Sequence, residues 1–198
     1  MKKLFIIAIS AVTLSLLIVN CNKSTVPPAN TFKDSITYNN KVYDVNTGLL
    51  EYYGKIKGSG FNIDLTLVSS GLTPVVVNGV VDSIKGTGNG INFEIFTTKS
   101  TSLDIGDYNF DASKTGAAGT FDYANTILDF NTVTQKGIDL DIKAGKVTIK
   151  QIASEYELNF SCTGVDGKSV TGYYKGSLQY YDNSSIMKSG KIKKLRKW

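Results

Sequence analysis

The feature that most limits the fold is an alternation of apolar and polar residues between clusters of Gly, Asn and Asp. Phe61, Ile63, Leu65 and Leu67 share one parity, while Asn62, Asp64 and Thr66 take the other. Ile138, Leu140 and Ile142 alternate with Asp139 and Asp141, as do Val147 and Ile149 with Lys146, Thr148 and Lys150. Successive side chains of a strand point to opposite faces, so this pattern specifies strands with one buried face. Further strands are expected at 35–38, 41–45, 49–57, 75–84, 91–98, 108–110, 126–133, 156–163 and 170–181, about a dozen in all. Asn39-Asn40, Asp166-Gly167 and the loop Gly86–Gly90 supply residues that tolerate positive φ and read as hairpin turns, so most neighbours in sequence should pair. No stretch places apolar residues at i, i+3, i+4 and i+7 over three turns, so little helix is expected in the domain. An apolar face must be covered, and the expected fold is a single all-β domain: an antiparallel β-sandwich or a closed β-barrel, lipocalin-like in its barrel form.

Upstream of the strands, Met1-Lys2-Lys3 is a cationic head followed by an uncharged run from Leu4 to Val19. Those 16 residues fall short of the roughly 20 that a membrane-spanning helix needs, and they fit a secretory signal. Leu17-Ile18-Val19-Asn20-Cys21 resembles the lipobox of bacterial lipoproteins, with Asn20 standing where Gly, Ala or Ser is usual. The resemblance implies cleavage before Cys21 and acylation of that residue. Two or more acyl chains hold a protein on a bilayer durably, since each buried CH₂ contributes about 0.8 kcal/mol. Asn22 follows, rather than the Asp associated with inner-membrane retention, which favours the outer membrane. The expected organisation is a signal peptide at 1–20, a lipid-anchored tether at 21–33 stiffened by Pro27 and Pro28, the β domain at 34–183, and a basic tail at 184–198.

The net charge of +5 suggests a polyanionic partner until it is located. Setting aside Lys2, Lys3 and the six basic residues between Lys188 and Lys197 leaves 14 basic residues against 17 acidic ones. The body is acidic and its single arginine, Arg196, lies in the tail, so no nucleic-acid partner is expected. Six basic residues ending in Trp198 suit an anionic membrane surface, although a solvated terminus is the simpler expectation.

Histidine is absent, which removes histidine-based nucleophile activation and histidine-ligated zinc. Of the two cysteines, Cys21 takes the lipid. Cys162 shares the inward parity of Leu158 and Phe160 and is expected to be a small buried hydrophobe. Asp139 with Asp141, and Glu155 with Glu157, sit on solvent faces and read as surface charge rather than as paired catalytic carboxylates. The run from Asp104 to Asp111 lacks the full spacing of a calcium loop and reads as a turn followed by an edge strand. Gly86–Gly90 lacks the Lys-Ser/Thr pair and following helix of a phosphate loop, and reads as a flexible hairpin tip. No catalytic residue, metal or cofactor is expected.

The candidate binding residues are the doublets Tyr52-Tyr53, Tyr173-Tyr174 and Tyr180-Tyr181. Each should place one ring inward and one outward. Outward rings on one face would offer a platform for a glycan or a protein, against the plainer expectation that they stabilise the sheet by cross-strand stacking. The anchor with its tether, the segment Tyr38-Asn-Asn-Lys-Val-Tyr-Asp and the segment Asp166-Gly-Lys-Ser-Val-Thr-Gly-Tyr-Tyr-Lys-Gly-Ser-Leu make the chain similar to the small β-rich lipoproteins of Bacteroidetes-type bacteria. That resemblance implies a compartment and a fold but no active site. The expected function is a non-catalytic, envelope-anchored binding or structural module. A carrier of a small apolar ligand and a tyrosine-based carbohydrate-binding module are the alternatives, with a carboxylate-only glycosidase a distant third.

Overall fold

The computed structural model describes residues 33–152, 154–185 and 198. Every regular element among them is a strand. In chain order these are β1 (Ser35–Tyr38), β2 (Lys41–Asp44), β3 (Thr47–Gly54), β4 (Phe61–Val68), β5 (Leu72–Val77), β6 (Val80–Thr97), β7 (Gly106–Phe110), β8 (Thr120–Asn131), β9 (Lys136–Ile152), β10 (Glu155–Gly164), β11 (Ser169–Gly176) and β12 (Leu178–Asp182). The fold is all-β, as the alternation specifies. It is neither a sandwich nor a closed barrel: one curled sheet runs β12-β3-β4-β6-β8-β7-β9-β10-β11-β1-β2, with β5 paired to β6 and a further pairing of β8 with β9. The sheet is also mixed, because β12 lies parallel to β3 and β7 parallel to β8. The half-barrel ends at β12 on one side and at β2 on the other, both short strands. β2 has four residues and β12 five, and β2 carries the charged Lys41 and Asp44, features that oppose further pairing at an edge.

Curling buries the alternating apolar set. Leu50, Ile63, Leu65, Leu67, Ile91, Phe93, Ile95, Phe121, Val147, Ile149, Leu158, Phe160 and Val170 line the inner face. The Phe93 ring lies 5.5 Å from Phe121 of the adjacent β8 and 5.4 Å from Phe160 of β10, which β6 does not pair with. Aromatic side chains therefore meet across the concavity, each contributing up to about 3 kcal/mol of burial. A second cluster, Leu49, Val68, Leu72, Ile84, Ile127 and Phe130, forms on the outer face, where Leu72 of β5 and Ile84 of β6 join the outward apolar residues of β3, β4 and β8.

Several expected boundaries move. Residues 75–84, expected as one strand, are split by Asn78-Gly79, whose φ values of 52° and 78° make a tight turn between β5 and β6. Gly86–Gly90 is no hairpin tip but the middle of the 18-residue β6. A Cβ on Gly86 would stand 2.1 Å from the Gly71 carbonyl oxygen, so the glycine there admits a close strand approach rather than a turn. Residues 136–152 form one strand instead of two, and 170–181 form two instead of one, parted at Ser177. β7 is not an edge strand; it wedges between β8 and β9. The hairpins at Asn39-Asn40 and Asp166-Gly167 stand as expected.

Candidate functional site

Strand register brings together residues that are far apart in sequence. On the outer face Glu51 of β3 is directly opposite Asp64 of β4, Asp64 is opposite Glu94 of β6, and Glu94 is opposite Tyr123 of β8. One step along, Leu49, Thr66, Asn92, Asn125 and Asp141 form the neighbouring row. Cross-strand partners lie about 5 Å apart, so three carboxylates stand side by side on a strip of sheet. The strip is buried although it faces outward: Glu51 is 0% exposed and Asp64 9%, and Asn62, Thr66, Asn92 and Asn125 are buried too.

Amides and hydroxyls thread between these carboxylates. Tyr53 donates its hydroxyl to Glu51 Oε2 at 3.0 Å, and Asn183 Nδ2 donates to the same oxygen and to the Tyr53 hydroxyl, each at 3.1 Å. The Asn183 backbone N–H donates to the Tyr52 carbonyl at 2.8 Å, which pins the end of β12 over β3. Asn92 Nδ2 donates to Thr66 Oγ1 at 2.9 Å. Asn125 Nδ2 bridges Asp139 and Asp141 at 2.8 and 2.9 Å, and Asp141 also accepts the Tyr123 hydroxyl at 3.2 Å. At the end of the strip, Trp198 packs on the outer apolar cluster and donates Nε1 to Asn125 Oδ1 at 2.8 Å. Its indole lies over Gly90, where a Cβ would meet Trp198 Cη2 at 3.0 Å and Val68 Cγ1 at 3.3 Å. Beyond the strip, the buried Asp122 pairs with Lys57, whose ammonium also lies over the Phe96 ring.

The tyrosine doublets split between faces. Tyr52 packs against the inner core while Tyr53 is on the strip, and Tyr174 is buried inside while Tyr173 is half-buried on β11. Tyr181 packs on the outer cluster; Tyr180, at 40% exposure, donates to the Ser100 carbonyl at 3.3 Å. The outward rings do not make one platform: Tyr53 and Tyr181 belong to neighbouring strands, and Tyr173 sits on the far arm of the sheet. Burial pushes the Tyr174 phenol up to about 12, and its hydroxyl donates to the Ser177 carbonyl at 2.7 Å. Cys21 lies outside the described residues.

The remaining candidates have structural partners. Asp104 accepts from Thr97 Oγ1, the Thr98 amide and Thr98 Oγ1 at 2.7 to 2.9 Å. Burial raises its pKa, but these bonds with Lys99 nearby outweigh burial and leave it below the ordinary carboxylate value. Asp107 is held below that value by Thr148 and Lys146, and Asp111 by Thr115. The oxygens of this run thus turn to separate partners, and no described residues form a group arranged to hold a metal ion. Cys162 is inward and buried, and burial pushes its thiol up to about 12, far from a reactive thiolate.

Sequence reasoning missed the acid row, and it read Trp198 as the end of a solvated or membrane-suited tail, whereas the indole packs on the outer cluster. Glu51 and Asp64 are each the one acidic residue of an otherwise largely apolar strand, and Glu94 stands alone in the apolar half of β6, and that isolation was the available signal. No family model, curated protein or solved structure matches this chain.

Proposed function

We propose that the chain is an envelope lipoprotein, anchored by acyl chains on Cys21 and probing its surroundings with a non-catalytic binding or structural module. The observation that carries the reading is the run Leu17–Cys21 behind a cationic, apolar leader. The outer membrane is the proposed location.

Carriage of an apolar ligand in the manner of lipocalins is disfavoured by the Phe93–Phe160 contact across the concavity, which occupies the space such a ligand needs. Glycan binding is disfavoured by the dispersal of the outward tyrosine rings. The test is metabolic labelling with a fatty acid. The native chain takes up label and partitions with membranes, whereas Cys21→Ser takes up none and is released. Equal membrane retention of both chains sinks the anchor.

A further inference from the structure

A sheet face with a stripe of carboxylates normally meets water, because burying a charge is costly unless an opposite charge accompanies it. Glu51 and Asp64 are nevertheless buried, on the side of the sheet away from the core. The strip is bounded by two fixed points of one stretch of chain. Asn183 is bonded to Tyr52, Glu51 and Tyr53 at the β3 end, and Trp198 is bonded to Asn125 and seated over Gly90 at the β8 end. The residues joining them, Ser184 to Lys197, include six basic side chains and no acidic one.

We propose that the outer strip of β3, β4, β6 and β8 is a docking site for this chain's own C-terminal segment, residues 186–197, whose lysines and arginine neutralise the row Glu51, Asp64 and Glu94. Reach permits it. From β12 to β8 along the sheet is four strand spacings, about 19 Å at roughly 4.8 Å each, and the fifteen residue steps from Asn183 to Trp198 span about 22 Å even as helix and about 50 Å extended. Charge complementarity supplies the attraction, and the indole supplies the register. Gly90 lacks the Cβ that would close the indole seat, with Val68 and Ile127 opposite it on either side. The strip thereby recognises a lysine-rich peptide ending in an aromatic ring, and in the resting protein that peptide is its own. The inference is independent of the anchor.

Trp198 is the single tryptophan, so its emission reports the docked end directly. In the purified full chain at low salt, emission is expected to be blue-shifted and shielded from acrylamide at every protein concentration. Replacing Lys188, Lys191, Lys193 and Lys194 together with Gln, outside the sheet, is expected to move emission to that of free indole and raise quenching to the level in urea. Far-UV circular dichroism should remain that of a β protein. Gly90→Val should do the same by filling the seat. Salt at about 1 M, where the screening length falls to about 3 Å, should weaken the shielding of the native chain.

Shielding that persists in both variants with the β signal intact overturns the proposal. Shielding that appears only as concentration rises, together with a dimer on sizing, assigns the site to a second copy and overturns docking in cis. An accessible indole that becomes shielded only on adding phosphatidylglycerol vesicles gives the tail to the bilayer, and also overturns it.

Discussion

At the scale of single residues, the inner face is tuned to keep ionisable groups neutral. Cys162, Tyr108 and Tyr174 are all raised to about 12, in each case chiefly by burial, from ordinary values of 9.0 for the thiol and 10.0 for the phenols. In the folded state these groups keep their protons where the unfolded chain has released them. Their contribution to stability is therefore complete below pH 9 and is lost progressively as pH rises towards 12, at up to about 1.4 kcal/mol per pH unit for each group. Urea midpoints should fall across that window, and Cys162→Ala should fall less steeply than the native chain from about pH 9 upward. The inward position of Cys162 was legible because parity alone decides it. Each tyrosine doublet was legible in the same limited way, one ring per face. Which outward residues stand together was not legible, because Glu51, Asp64 and Glu94 become neighbours only through pairings across 13 and 30 residues of chain. Trp198 was hidden for a different reason: a basic, turn-poor tail offers no periodicity that would say where it ends.

At the scale of elements, alternation identified strands well and their breaks poorly. β1 and β10 were plain because polar and apolar residues alternate without a glycine inside them. β9 was read as two strands because Lys143 to Lys146 interrupt the apolar parity around Gly145, whose φ of 138° lets the strand bend and continue. The reverse error joined β5 to β6, since the valines on both sides masked the Asn78-Gly79 turn. That turn sets the register of an arm whose Leu72 and Ile84 complete the outer cluster. Gly79→Val puts a β-branched residue at φ 78° and should cost about 1–2 kcal/mol. Hydrogen exchange should show the loss in the amides of β5 and the first half of β6, with β9 and β10 keeping their protection.

For the molecule as a whole, all-β architecture was legible, and closure was not, since no local pattern records how far a sheet curls. Curling is set by distant pairings. β1 pairs with β11, joining Ser35 to Tyr173, while β12 pairs with β3, joining Leu178 to Gly48. Ser177 alone links the strands that make these two contacts, and Tyr174 of β11 approaches Gly48 of β3 closely enough that a Cβ there would stand 3.1 Å from its hydroxyl. A chain ending at Gly176 should leave the β3 edge bare and lose cooperative urea unfolding, with the outer cluster deprived of Tyr181.

The single-residue link at Ser177 also orders events in time. The first strands pair with near neighbours, β1 with β2 and β3 with β4, but the remaining edges of β1 and β3 are covered only by β11 and β12, which the ribosome makes last. The sheet is therefore complete only once nearly the whole chain has been made.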